Sequence, residues 1–162
     1  MDNIVKSAET FLMILMHASY GRAMLAAHHL ELRLSTFLLC HAIENGEDTS
    51  LESFKKLTLG ALVREFVKRF DPSDDLHEEL DKMVFFRNEL AHRISDAICR
   101  AATGSEWREK VTKEMVEIEK IFGETNILLD PYMERCHRIT KTNDADLKRI
   151  AELFYPGMQV AD

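Results

Sequence analysis

The residues of this chain best placed for chemistry are Arg87, Asn88 and His92, within Met83-Val84-Phe85-Phe86-Arg87-Asn88-Glu89-Leu90-Ala91-His92-Arg93. An imidazole titrates near neutral pH and suits proton transfer. A guanidinium presents a planar fork that matches phosphate or carboxylate oxygens. Apolar residues recur at Leu76, Leu80, Met83, Leu90, Ile94 and Ala97, the spacing of an amphipathic helix. That seam passes through position 87, where it finds Arg instead of an apolar side chain. A guanidinium on a buried seam is costly unless it is paired or lines a shared polar cavity. A second line, rotated from the first, carries Phe85, Asn88, His92, Ser95 and Cys99. Asn88 and His92 are four apart and stack on one face. Arg87 and His92 are about 140° apart around the axis, yet Arg87 is long enough to bring its head toward the same space.

The segment Arg-Asn-x-Leu-Ala-His resembles the Arg-x4–6-His motif of HEPN domains, in which a polar residue commonly follows the Arg. Leu57-Thr-Leu-Gly-Ala-Leu-Val63 is similar to the Leu-Gly-x-Leu-Ile segment that often precedes that motif. The likeness covers roughly residues 5 to 105. It implies an all-α bundle of the HEPN type and, for active members, metal-independent endoribonuclease chemistry without a cofactor. On this resemblance His92 is the general base or acid for attack of the ribose 2′-hydroxyl on the adjacent phosphate. Arg87 stabilises the added negative charge, and Asn88 orients the phosphate or His92. The products would be a 2′,3′-cyclic phosphate and a 5′-hydroxyl. Many such proteins are toxins or phage-defence effectors, so an antitoxin or regulator is an expected partner. Others are non-catalytic interaction modules, and mannitol-operon regulators of similar bundle shape give the alternative reading. A composite site across a homodimer is expected, with Phe85, Phe86 and Ala91 as apolar contacts around the polar residues.

The elements that must position these residues are helices. With 3 Pro, 6 Gly and no alternating β-branched runs, the chain reads as all-α. We expect one domain over residues 1–162, an antiparallel bundle of five to seven helices. Its HEPN-like core is placed at about 5–129, with extra C-terminal helices over 131–155. A first helix, or two nearly in line about Gly21, spans about Ile4 to Glu44. Its inward residues are expected at Val5, Ala8, Leu12, Leu15, Ser19, Ala23, Ala27, Leu30, Leu34, Phe37 and Leu38. Tyr20, Met24, His28, Glu31 and Ser35 form a mixed face there. Glu31 is a candidate partner for Arg87, although the reading favours a nearer Arg such as Arg33, or the surface.

Asn45 to Ser50 is a turn, and helix starts are expected at Ser50 or Thr58. Thr58 to Phe70 is helical with Leu59, Leu62, Val63 and Phe66 inward. Asp71 is expected to cap the motif helix, with Pro72 at its first position. Asp74, Asp75, Glu78, Glu79 and Asp81 follow, where the helix dipole favours negative charge. A helix from Ser105 to about Leu129 buries Val111, Met115, Ile118 and Phe122 and exposes Arg108. Tyr132 to Thr140 is a short helix, and Asn143-Asp144 caps a last one to about Phe154.

The net charge of −7, from 28 acidic and 21 basic residues, argues against a broad RNA-binding surface but not against a small local one. Lys55, Lys56, Arg64, Lys68 and Arg69 form the densest basic stretch, which as a rule is a solvated face. Arg64, Lys68 and Arg93 are the candidate substrate contacts. Cys40, Cys99 and Cys136 are odd in number and widely spaced, as befits reduced thiols rather than a disulfide framework. No metal-ligand spacing occurs, and no zinc site is expected. No apolar run reaches a membrane span and no secretory signal is read, so a cytoplasmic protein is expected.

Overall fold

The computed structural model describes residues 2–92 and 105–141, and all six elements among them are helices. α1 is Asp2–Glu44, α2 Leu51–Lys55, α3 Leu59–Phe70, α4 Asp74–His92, α5 Ser105–Leu128 and α6 Asp130–Lys141. The all-α bundle read from the sequence is therefore observed. The expected last helix beyond Asn143 lies outside the described residues.

α1 is the axis of the fold, and it runs unbroken through Gly21. It buries Met16, Ser19, Ala23, Ala27, Leu30, Leu34, Phe37 and Leu38. Leu15, expected inward, is 36% exposed, and Met16 takes its place. Over so long a helix, 3.6 residues per turn rotates the buried stripe against a simple four-and-three count.

α5 forms the longest seam with α1. Arg108 Nη1 donates to the Glu9 carbonyl at 3.2 Å, Arg22 Nε to Glu119 at 3.0 Å, and Arg33 Nη1 to the Asn126 carbonyl at 2.7 Å. Residue numbers rise together along these pairs, so α5 runs in the direction of α1. Arg108, expected to be exposed, is buried at 6%. It lies one position from the exposed Trp107, and its guanidinium is needed at the α1 backbone.

α3 also runs with α1. Phe37 meets Phe66 with ring centroids 6.0 Å apart, and four residues on His41 meets Phe70 at 5.2 Å. Phe66 stacks on Phe70 at 4.8 Å, and Tyr132 of α6 closes the cluster, 5.0 Å from Phe66. Burial in this cluster pushes the Tyr132 phenol up.

The caps set where the motif helix begins. Thr58 accepts a hydrogen bond from Ala61 N and starts α3. Asp71 does not start α4 as expected. It ends α3 in the left-handed conformation at φ 45°, ψ 59°, with its N–H bonded to the Val67 carbonyl. Ser73 caps α4 instead, its hydroxyl accepting from Leu76 N at 3.4 Å. The chain thus reverses between α3 and α4. α4 comes back along α3 until Val84 faces Gly60, where a Cβ on the glycine would lie 3.3 Å from Val84 Cγ1. Glycine lets the two helices approach at the level of the motif.

Candidate functional site

α4 buries Leu76, Leu80, Met83 and Leu90, so over the described residues the seam read from the sequence is the one that faces the core, while Ile94 and Ala97 lie outside them. Arg87 lies at the edge of this seam. Its Nε donates to Glu31 Oε1 at 3.2 Å, with 31% of the Arg87 and 24% of the Glu31 side chain exposed. The expected pairing of Glu31 with Arg33 is overturned, because Arg33 points to α5 and α6, where it holds the Asn126 carbonyl at 2.7 Å and Asp130. His28 Nδ1 lies 3.6 Å from the other carboxylate oxygen of Glu31. One carboxylate thus stands between a guanidinium from α4 and an imidazole from its own helix one turn earlier. The sequence held a signal for this set: His28 and Glu31 share the mixed face of α1 at a spacing of three.

Asn88 and His92 are exposed on α4, one turn apart, and Phe85 is 56% exposed on the same line. The structure therefore opens the polar face of the motif to solvent while fastening its Arg to α1. Of the expected apolar patch, Phe85 and Ala91 are exposed, whereas Phe86 is partly buried against the core. The Phe85 and Phe86 rings meet edge to face at 5.6 Å.

The basic stretch divides. Arg69 is held by Glu47 at 2.9 Å and by Glu65 at 3.4 Å, and these carboxylates hold its proton more firmly. Lys55 bridges to Glu52 at 3.3 Å. Arg64 and Lys68 are exposed one turn apart on α3. Arg64 Nη1 is within 3.8 Å of where a Cβ on Gly60 would lie, at the approach of α3 to α4. Arg93 lies outside the described residues. The acidic opening of α4 forms its own bridges. Lys82 contacts Glu79 at 2.7 Å and Glu78 at 3.1 Å, which hold its proton more firmly, and His77 approaches Asp81 at 3.7 Å.

Among the described residues no group of three or more His, Cys, Asp or Glu side chains is placed to hold a metal ion. Among them, too, no helix is long and apolar enough to cross a membrane. No known family model, curated protein or solved structure matches the chain.

Proposed function

We propose that the chain is a HEPN-type, metal-independent endoribonuclease that works in the cytoplasm as a toxin or phage-defence effector. The observation that carries this reading is the face of α4. Asn88 and His92 stand open to solvent, with Arg87 beside them at the edge of the core. His92 moves a proton during attack of a 2′-hydroxyl on the neighbouring phosphate: the O2′–P bond forms, the P–O5′ bond breaks, and the 5′ oxygen takes up a proton. Arg87 answers the added charge with its remaining N–H groups while Glu31 holds its Nε. Asn88 orients the phosphate, and Arg64, Lys68 and Arg93 bind the flanking backbone.

The site is composite in this reading. Two α4 helices meet across a two-fold axis, with the exposed Phe85 and Ala91 giving apolar contact around two Arg, two Asn and two His. An antitoxin or regulator protein restrains the enzyme by covering that face.

The Arg87–Glu31 pair also favours a second reading, a non-catalytic regulatory bundle similar to mannitol-operon regulators. A guanidinium already paired at a helix contact has a structural task. Variants separate the two. His92→Ala is expected to abolish RNA cleavage with melting nearly unchanged. Arg87→Lys, which keeps the charge but loses the fork, is expected to lose much of it. Arg138→Lys, at an exposed position on α6, is expected to lose none. Cleavage that survives His92→Ala overturns the first reading. Sedimentation over a dilution series, with activity per chain alongside, tests the dimer: a monomer with full and constant activity overturns the composite site.

A further inference from the structure

α1 is apolar on two sides. Met16, Ala23 and Leu30 face the core. Directly opposite them around the axis, Phe11, Ile14, Ala18, Gly21 and Leu25 follow one another three and four apart, all of them exposed. Phe11 is 63%, Ile14 62% and Leu25 53% exposed, and Leu15 flanks them. Residues 10–21 include no Asp, Glu, Lys or Arg, so this side carries no fixed charge for three turns. A helix that is apolar all round is as a rule a buried one. Alternation of three and four is the spacing at which two helices pack side by side over several turns.

We infer that this stripe is a self-association surface, on which a second copy of the chain lays its own α1 antiparallel. The shape of the stripe selects that occupant. Its large side chains, Phe11 and Ile14, lie toward the N-terminal end, and its small ones, Ala18 and Gly21, follow. About a two-fold axis level with Met16, Phe11 meets the second copy's Gly21 and Ile14 meets its Ala18. Each layer then holds one large and one small side chain. A parallel pair would set Phe11 against Phe11 and Gly21 against Gly21, which crowds one layer and leaves a void in another. Gly21 has room for the ring, since a Cβ placed there meets nothing within 4 Å. A two-fold pairing needs only this one patch. The area also fits. Phe11, Ile14, Leu15 and Leu25 present on the order of 400 Å² of apolar surface per chain, the size at which a patch on a monomer commonly has a function. Two such stripes, with the backbone beside Ala18 and Gly21, bury roughly 1,000 Å², the threshold of a specific but weak interface. The charge favours the same partner over a lipid surface. A net charge of −7 is repelled by anionic lipid, whereas two uncharged stripes do not repel each other. Phe85 and Ala91 stand on a different helix, so this pairing is distinct from one through α4.

The experiment sediments the full chain from about 1 to 100 μM, the range of a weak interface. The expected result is a mass that rises with concentration. Ala18→Glu sets a carboxylate in the centre of the stripe at an exposed position that suits a good helix former. It is expected to keep the helical content and to weaken association about a hundredfold or more. If pairing through α4 holds as well, this variant remains a dimer; if it does not, the variant is a monomer. Register is read by mixing Ile14→Cys chains with Ala18→Cys chains, oxidising mildly and mapping the linked peptides. The expected product joins position 14 of one chain to position 18 of another, and either variant alone forms little of any link at these positions. Links between like positions overturn the antiparallel pairing. Equal association of Ala18→Glu and the unaltered chain overturns the surface. So does a monomer at every concentration, including one that binds lipid vesicles instead. None of these readouts involves RNA, so the outcome is independent of whether the chain cleaves it.

Discussion

Two neighbouring stretches in the C-terminal half of α1 carry out different tasks. Around residues 37–41 the helix meets Phe66, Phe70 and Tyr132 in a cluster of rings, with Phe37 and Phe66 fully buried. Around residues 28–31 its outward edge meets α4 through one carboxylate shared by Arg87 and His28, each partly open to water. The first region gains its stability from apolar area and close packing, which tolerate no change of volume. The second holds charged groups in place at low energetic return, because exposed and half-exposed ion pairs contribute little. A rigid end and a polar, accessible edge on one helix give a frame on which reactive side chains can be held without supporting the fold.

Substitutions can break this contrast. The largest effect on stability is expected from Phe66→Ala in the ring cluster, about 3–5 kcal/mol by urea unfolding. Arg108→Ala is expected to cost roughly 1–3 kcal/mol, since it removes a buried side chain and its hydrogen bond to the Glu9 carbonyl from the α1–α5 seam. Glu31→Gln keeps the volume and removes the charge. It is expected to cost about 1 kcal/mol or less, because the pair is a quarter to a third exposed. If Arg87 acts on phosphate, the same change misplaces the guanidinium and lowers RNA cleavage roughly ten- to hundredfold. Asn88→Ala and His92→Ala are expected to change unfolding by no more than about 0.5 kcal/mol each. A loss above 2 kcal/mol in either, measured by urea titration, would show that the open face of α4 is structural and erase the contrast.

Much of the frame was legible because helices declare themselves by period. Among the described residues the buried stripes of α3 and α4 match the apolar spacing, as does that of α5 at Val111, Met115, Ile118 and Phe122. Ser50 and Thr58 stand at the starts of α2 and α3, and Thr58 caps its helix through its side chain whereas Ser50 makes no side-chain cap bond. What period does not fix is direction and long-range pairing. Arg108 is polar by type and buried by need, since its length reaches the α1 backbone. Glu31 has Arg33 two residues away, but those two side chains point to different sides of α1, and the partner it finds is 56 residues distant. Asp71 misled for a different reason: aspartate serves helix starts and left-handed helix ends alike, and the serine two residues on took the start.

The most direct test of the central claim is the chemistry of RNA ends. Purified protein is incubated with total cellular RNA in excess chelator, and the fragments are analysed for their termini. The expected result is cleavage unaffected by chelator, leaving 2′,3′-cyclic phosphate and 5′-hydroxyl ends, and absent with His92→Ala. Intact RNA at high enzyme concentration, cleavage that stops with chelator, or 5′-phosphate ends would contradict it.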